Sequence, residues 1–399
     1  MKHPEAESDK QGELAAEKTE DRCSRADAGK QASGPGGKAV AALRAIFSRI
    51  WSDTFLFTII AIVIGFVIGA LILLMTGFNP MQAYRLLFEG IFGTPKSRMY
   101  SFQFATPIIF TGLSVTFAFK TGLFNIGAEG QYIMGSLVAM VLGVSLKLPP
   151  VVHGVVCVLG GGLAGAVWGG IAGLLKAYRG ISEVIVTIML NWTAFSFANF
   201  IIMSPAYKKP SSTASVTIAE TAKISTNALS ERYGNVSIHW GMLLAIAAVI
   251  IIWIILNKTT LGFRLRMVGF NRDAAEYAGV GVPASITTSM AVSGLLAGLG
   301  GATQLCGVLG NLTQLANQEG YGFDGISVSM IGGINPIGAF FSGFFFGGMK
   351  YGGAKLNMIQ APTELVNVII GVIIYTIAIM SAFRLIISFI KSKRGGRPV

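Results

Sequence analysis

The chain has 399 residues, of which 52% are hydrophobic and only 13% are charged, and its mean hydropathy is +0.63. A soluble domain carries about twice that fraction of charged residues, so the composition excludes an ordinary soluble protein and indicates a membrane protein. The net charge is +12, but the first 38 residues hold eight acidic and seven basic side chains, so the basic excess lies in the rest of the chain. Basic flanks and loops favour anionic lipid headgroups over nucleic acid as the partner.

The N-terminal stretch differs from everything that follows it. Residues 1–45 are polar, charged and poor in large apolar side chains, and they include the segment ASGPGGK. Such a stretch cannot bury enough apolar surface to order itself, so we expect a disordered tail and no signal peptide. Arg44 and Arg49 lie shortly before the first long apolar run, Thr54–Thr76, which predicts a membrane span. Positive charge at that end of the span predicts a cytoplasmic N-terminus.

After this span, apolar runs alternate with shorter polar connections. Met81–Gly90 has the pattern of a short amphipathic helix. Further runs predict membrane spans at Phe104–Phe119, Thr121–Gly143, Pro149–Ala177, Val184–Met203, Trp240–Leu256, Ala284–Leu309 and Leu365–Phe389. Several of these spans are rich in glycine, which predicts helices in close backbone contact. The longest internal loop, 204–239, falls outside the cell if the N-terminus is inside.

The segment Phe323–Lys350 has a different pattern from these spans. It holds two short apolar runs separated by Gly332–Pro336, and neither run reaches the ~20 residues that a perpendicular span needs. A broken helix pair of this kind is allowed only where protein or a water-filled cavity covers its backbone. Two crossings here give ten spans and place the basic tail 391–399 in the cytoplasm, whereas one crossing gives nine; we favour ten. We therefore predict an all-α polytopic protein whose membrane domain is 46–390.

Polar side chains cluster at the start of the span Thr121–Gly143, where Asn125, Glu129 and Gln131 occur together. A charged side chain at a helix centre costs about 2.5–3.5 kcal/mol on insertion scales. Glu129 therefore either faces a partner, a cavity or the protein interior, or it lies in the headgroup region.

A second polar set lies on the span Val184–Met203. Glu183, Thr187 and Asn191 are spaced at i, i+4 and i+8, so they share one helical face. With the first set, these residues are predicted to line or brace a substrate pathway. Aromatic side chains nearby could stack on a planar solute, although most phenylalanines in a membrane protein serve packing; they are Phe119, Phe124, Trp192, Phe195 and Phe197.

Several kinds of chemistry are missing from the sequence. It has no phosphate-binding loop of the type G-x-x-x-x-G-K-[ST], no Ser–His–Asp arrangement in a plausible setting and no metal-ligand spacing around its three cysteines and three histidines. We expect no cofactor, no metal and no catalysis by this chain. Two function classes remain. One is an ion-coupled secondary carrier, and the other is the membrane subunit of a transporter that has a separate ATPase. The long basic, amphipathic connection at 257–283 favours the second, because a permease needs a segment that docks on its ATPase.

Three stretches identify a family. They are GLSVTFAFKTGLFNIGAEGQ (Gly112–Gln131), SEVIVTIMLNW (Ser182–Trp192) and VGFNRDAAEYAGV (Val268–Val280). Together they resemble the permeases of bacterial ABC importers, and most closely the nucleoside and simple-sugar permeases that work with a binding lipoprotein. The wider superfamily includes ribose and branched-chain amino acid permeases. The likeness covers residues 55–390 and leaves out the N-terminal tail.

The resemblance implies a set of partners: an ABC ATPase on a separate chain, a second permease subunit (identical or related), an extracytoplasmic substrate-binding lipoprotein and membrane lipid. It implies nucleosides as the substrate, with simple sugars or amino acids as alternatives. It also implies a cytoplasmic coupling helix that docks on the ATPase, at Asn271, Asp273, Ala274, Ala275, Ala278 and Gly279. The residue pattern agrees, because Asp273 lies near the helix start and the alanines give a small face. A merely solvated loop is the alternative.

Overall fold

A computed structural model of the chain describes residues 53–226, 230–231, 233–234, 236–362, 365, 367–376 and 379. The predicted tails and the second half of the predicted last span lie outside these residues. Within the described part, the named elements are all helices, accompanied by three isolated β-bridges. The prediction of an all-α fold is therefore confirmed. Residues 65–375 form one compact unit, and the contacts below lie within it.

Thirteen helices are named here in chain order over the described residues. They are α1 (Asp53–Met75), α2 (Pro80–Phe88), α3 (Pro95–Phe119), α4 (Ala128–Ser145), α5 (Val152–Arg179), α6 (Glu183–Ile202), α7 (Trp240–Lys258), α8 (Thr260–Phe270), α9 (Arg272–Tyr277), α10 (Val282–Gln304), α11 (Tyr321–Ile331), α12 (Pro336–Ala354) and α13 (Asn367–Thr376). A π-helical turn, Leu305–Leu309, continues α10. Helices α3, α5, α6 and α7, together with α10 and its continuation, are long and apolar enough to cross a membrane, so the chain is a polytopic membrane protein.

Two helix starts differ from their predictions. Helix α3 begins at Pro95, nine residues before the predicted Phe104, because the Thr94 hydroxyl caps it by accepting from the Ser97 amide at 3.0 Å. Proline at the first helical position favours this start, and the polar residues that follow it concealed the helix from a hydropathy pattern. Helix α4 begins at Ala128, because Thr121–Gly127 forms turns.

The bundle has two ends that are named here by the segments they carry. The connection 259–281, with α8 and α9, lies at the α9 side, and the loop 203–239 lies at the loop side. Contacts of Gly122 with Gly269 place the end of α3 at the α9 side, and the 2.8 Å bond between His153 and Thr221 places the start of α5 at the loop side. Between residues 95 and 354 the chain passes from side to side eight times. The number of membrane spans, nine or ten, stays a prediction.

Glycine lets two central helices touch. Helices α5 and α10 run antiparallel, and a methyl group at Gly165 would overlap the carbonyl oxygen of Gly294. A methyl group at Gly135 of α4 would likewise overlap the backbone of Gly298. This close approach of α4, α5 and α10 confirms the contacts predicted from the small residues. Next to them, Cys157 and Cys306, which are distant in the sequence, share one buried apolar cluster as free thiols.

The broken segment is a hairpin that packs on α3. The Ser342 hydroxyl of α12 donates to the Val328 carbonyl of α11 at 2.8 Å, so these helices run in opposite directions and the segment makes two passes. The predicted break at Gly332–Pro336 is confirmed, since α11 ends at Ile331 and α12 begins at Pro336. Helix α12 has 19 residues, is about 28 Å long and extends to Ala354, four residues beyond the predicted segment.

The first of these two passes is only half helical. Residues 310–320 run without helix from the loop side to the start of α11. The loop side covers the beginning of this stretch: Ser215 donates its amide to the Leu312 carbonyl at 2.7 Å, and Gln314 donates to the Thr213 carbonyl at 2.7 Å. Non-helical backbone at membrane depth needs such cover, because lipid offers no hydrogen bonds. We call residues 310–320 the entry strand, meaning a non-helical segment that is not part of a β-sheet.

Candidate functional site

The first predicted polar set lies in a buried seam between α3, α4 and α10. Asn125 is fully buried, and its side-chain amide donates to the Ser293 hydroxyl at 2.7 Å and to the Gln131 oxygen at 2.9 Å. The Asn125 oxygen accepts from the Gly127 amide at 2.9 Å, which shapes the turn before α4. Ser114 of α3 completes the seam through a 2.9 Å bond to Ser293. These bonds satisfy the amides internally, so the seam is a structural brace.

Asn191 clamps α6 to the start of α4. Its side-chain oxygen accepts from the Gly130 amide at 2.8 Å, and its nitrogen donates to the Ile126 carbonyl at 3.0 Å. One turn earlier, Thr187 packs directly against Gly127, where a methyl group would come within 2.9 Å. The shared face that the spacing predicted is therefore the face that holds the turn before α4.

Glu183 has a different role from the rest of its set. Its carboxylate forms a 2.8 Å ion pair with Lys176, which ties the last turn of α5 to the first turn of α6. The pair lies at the α9 side, where each of these helices has its end. Glu183 therefore joins this helix junction to the turn before α4, because its carboxylate also accepts from the Phe124 backbone amide.

Glu129 caps the helix that follows the entry strand. Its side chain is fully buried, one carboxylate oxygen accepts from the Gly320 amide at 2.8 Å, and the other accepts from the Gly322 amide at 2.6 Å. Gly320 and Gly322 lie at the N-terminus of α11, where unpaired amides and the helix dipole favour a negative charge. Only glycine fits at position 322, because a methyl group there would overlap the backbone of Glu129. Glu129 therefore faces the protein interior, not the headgroups.

The structure thus brings the six predicted side chains to one region. Asn125, Gln131, Thr187 and Asn191 fix the turn before α4, Glu129 fixes the start of α11, and Glu183 holds the same turn at Phe124 while it pairs with Lys176. Asn199 was not predicted, although its side chain both donates to and accepts from the Leu315 backbone, at 3.0 and 2.8 Å. Asn199 lies two turns beyond Asn191 on α6, and that spacing was the signal that could have found it.

We call Asn125, Glu129, Gln131, Thr187 and Asn191 the braces. A cavity of about 480 Å³ opens beside them, between α6 and the entry strand. Its wall is formed by Ile126, Ile188, Asn191, Trp192, Asn317, Gln318 and Phe323. Of the predicted pathway residues only Asn191 belongs to it. Asn317, Gln318 and Phe323 were not predicted, because the sequence around them matches no motif. The signal available was an amide-rich stretch, LTQLANQEG, between two apolar runs.

The predicted coupling segment forms the short helix α9. Asn271 caps it by accepting from the Ala274 amide at 3.0 Å, and Asp273 lies in its first turn. Ala274, Ala278 and Gly279 are exposed. Ala275 is fully buried in the chain's own apolar cluster, so the prediction that it belongs to an exposed face is wrong. The helical period turns it inward, one position from Ala274.

Two large aromatic side chains flank this exposed face. Phe270 and Tyr277 are 90% and 94% exposed, and they are seven residues apart. Exposed aromatic side chains of this size, beside small residues, are typical of surfaces that another protein covers.

The α9 side is in direct contact with the turn that leads into the polar seam. Gly122 packs on Gly269 so closely that a methyl group at position 122 would lie 3.3 Å from the Gly269 α-carbon, and Ser289 donates to the Thr121 hydroxyl at 2.8 Å. Burial, together with the neighbouring Arg266, lowers the pKa of Lys120 in this turn. A displacement of α8 and α9 would therefore be transmitted through Thr121 and Gly122 to Asn125 in the same turn.

The residues that the structure describes include no group of three or more His, Cys, Asp or Glu that could hold a metal ion. The geometry around the described braces is that of hydrogen-bonded amides, hydroxyls and one capping carboxylate. Such an arrangement can position backbone and hold the walls of a cavity.

Comparison with known proteins identifies the family. Residues 98–378 match the family described as branched-chain amino acid transport system / permease component. The chain belongs to this permease family. The resemblance to ABC-importer permeases is thereby confirmed, and the helices described above are the framework of a transport subunit.

Among its relatives, the permease is 38% identical to the guanosine ABC transporter permease protein NupP of Bacillus subtilis, over 84% of this chain and 96% of that one. It is 37% identical to the nucleoside ABC transporter permease protein NupB of Lactococcus lactis, over 80% and 90% of the two chains. It is 27% identical to the glucose ABC transporter permease protein TsgB13 of Haloferax volcanii, over 79% and 85%. No solved structure gives a significant match.

Proposed function

We propose that this permease is the membrane subunit of an ATP-driven importer that moves nucleosides inward across the cytoplasmic membrane. The observation that carries the proposal is the identity of 37–38% to two nucleoside permeases over at least 80% of the chain. The glucose permease is more distant, at 27%. The uncharged wall of the cavity beside Asn191 also supports a neutral solute.

ATP hydrolysis belongs to a separate ATPase chain in this proposal, since the sequence has no phosphate-binding loop of its own. The ATPase docks on the exposed residues of α9 and its C-terminal cap, Asp273, Ala274 and Ala278, together with the exposed Phe270 and Tyr277. A second permease subunit and an extracytoplasmic binding lipoprotein complete the importer. The α9 side and the N-terminal tail then face the cytoplasm, and the loop side faces outward.

Energy coupling passes from α9 through α8 to the turn before α4. Motion of α9 on the ATPase moves α8, whose Gly269 packs on Gly122, and this turn is continuous with Asn125 and with the start of α4. From there, Glu129 transmits the displacement to the entry strand through Gly320. Packed helices with discrete contacts of this kind can switch between two arrangements.

Uptake by the native host tests this proposal. The permease is inactivated, and uptake of radiolabelled guanosine, glucose and leucine is measured in the same cells. We expect guanosine uptake to fall and the other two to remain unchanged, with recovery when the chain is restored. Loss of glucose or leucine uptake with guanosine uptake intact would overturn the proposal.

A further inference from the structure

The cavity beside Asn191 has a mainly apolar and uncharged wall, which suits the face of a planar, neutral solute. Trp192 and Phe323 border it with 55% and 41% of their surface exposed. Aromatic faces of this kind stack on nucleobases, because every base presents a π face. Its volume of about 480 Å³ lies within the range of small-molecule sites, ~300–1,000 Å³.

Two amide side chains supply the polar part of the wall. Asn317 and Gln318 lie on the entry strand, and each carries both a donor and an acceptor. Among the residues that the structure describes, neither side chain forms a hydrogen bond. They are therefore available to the hydroxyl groups of a ribose or to the edge of a base.

Both walls of the cavity are held by the braces. Asn191 fixes α6, which carries Trp192, to the start of α4. Glu129 fixes the end of the entry strand and the first turn of α11, which carries Phe323. The fully buried residues thus position the wall, and the partly exposed residues next to them form it. Preorganised walls reduce the ordering cost of binding a solute.

The wall also indicates what the cavity excludes. None of its seven side chains is charged. A nucleotide phosphate would lose water there and gain no cation, which is unfavourable. The second cavity, of about 400 Å³, is lined by Glu319 and Lys350 and suits a neutral solute less well.

We propose that the cavity between α6 and the entry strand is a nucleoside-binding site on the transport path, with Trp192 and Phe323 contacting the base and Asn317 and Gln318 contacting its edge or the ribose. It takes nucleosides and rejects nucleotides. This inference rests on the proposed function and adds the residues that recognise the solute.

Cysteine labelling tests the site directly in membranes that contain the full chain with its partner subunits. Ile188 lies on the wall without a polar role, so the reporter is Ile188→Cys, labelled by a maleimide after incubation with guanosine. The unmodified chain gives the background labelling. We expect guanosine to protect the cysteine and guanosine 5′-monophosphate to give no protection.

The stacking role is tested by combining the reporter with Trp192→Ala. The guanosine concentration for half protection should rise about tenfold, the size of one base–aromatic stack, and Trp192→Phe should restore most of the protection. Gln318→Ala should raise it as well. The matched control is Phe200→Ala, because Phe200 is 71% exposed on the same helix and lies off the wall. This control should leave the concentration unchanged.

Uptake of guanosine by the unsubstituted complex distinguishes a failure of the binding site from a failure of the proposed function. Uptake with no protection of the reporter, or with equal half-protection in Trp192→Ala and Phe200→Ala, would overturn the site and leave the importer intact. Absence of nucleoside uptake by the unsubstituted complex would overturn the proposed function and the site together. Equal protection by the monophosphate would overturn the exclusion of nucleotides.

Discussion

Glu129 illustrates why a carboxylate is retained inside this membrane domain. Its two oxygens accept from the amides of Gly320 and Gly322, which the non-helical entry strand leaves without helical partners. Hydrogen bonds to a charged acceptor are about twice as strong as neutral ones. The carboxylate thus gives two backbone amides the hydrogen-bond partners that lipid could not supply.

Replacement of Glu129 tests this capping role. Glu129→Ala leaves two buried amides unpaired, at about 1–3 kcal/mol each, so both thermal stability and uptake should fall. Glu129→Gln keeps one accepting oxygen and should lose about half as much stability. The measurements are the melting temperature of the purified permease and nucleoside uptake. Glu220→Gln is the control, because Glu220 is exposed and pairs only with Lys223. An unchanged melting temperature in Glu129→Ala would contradict the assignment.

Asn191 offers a second test on a neighbouring helix. Asn191→Ala removes the partners of the Gly130 amide and the Ile126 carbonyl, so the turn before α4 should loosen and uptake at saturating substrate should slow severalfold. The control is Thr193→Ala, because exposed Thr193 bonds only to a carbonyl of its own helix. Equal uptake by the two variants at equal expression would argue against the clamp.

At this scale the sequence could indicate the braces but not their partners. Asn125, Glu129 and Asn191 stand out because polar groups are rare in apolar runs. The atoms that they bind belong to distant segments: Gly320 is 191 residues from Glu129. The cavity wall could not be predicted, because Asn317 and Gln318 acquire meaning only when the entry strand packs beside Trp192.

At the scale of the elements, backbone contact holds the central helices together. Apolar burial gives little advantage within lipid, so helices associate through close packing. The glycine contact between α5 and α10 achieves this at one helical face, where Gly161, Gly165 and Gly169 meet α10.

Two alanine substitutions on α5 test the glycine contact with α10. Gly165→Ala overlaps the carbonyl of Gly294 and should destabilise the fold by about 1–3 kcal/mol. Gly170→Ala meets only Ala291, at 3.8 Å, and should be neutral or stabilise the helix by up to about 1 kcal/mol. The free energy of unfolding of each variant, measured in detergent, decides between them. Similar values for the two would contradict the packing described here.

Helix α9 gives an element-scale test of coupling. Ala278→Trp adds bulk to the exposed face, so the permease should keep its melting temperature but lose ATPase that copurifies with it. Ala275→Trp should instead lower the melting temperature, because that side chain is fully buried. Lys147→Trp, an exposed position at the loop side, is the control. Full ATPase binding and full substrate-stimulated ATP hydrolysis in Ala278→Trp would remove α9 as the docking element.

The helices themselves were largely predictable, because long apolar runs and Gly332–Pro336 are strong signals. The errors arose where local chemistry outweighs hydropathy. Thr94 and Pro95 start α3 among polar residues, and the turn Thr121–Gly127 precedes α4 although its residues continue the apolar pattern. Cap and turn residues, weighed against the hydropathy pattern, would have corrected both.

At the scale of the whole molecule, the permease is a framework around a polar, non-helical pass. The hairpin of α11 and α12 packs on α3, and the entry strand is covered by the loop side at one end and capped by Glu129 at the other. Irregular backbone at membrane depth is typical of transport proteins, where it lines the solute path. The same feature occurs in secondary carriers, so the source of energy needs its own test.

Reconstitution in proteoliposomes measures that source directly. The permease alone, and the permease with its ATPase, second permease and binding protein, are supplied with labelled guanosine and with either ATP or an ion gradient. The account predicts accumulation only in the complete complex with ATP. Accumulation by the lone permease under a sodium or proton gradient, without ATPase, would contradict it.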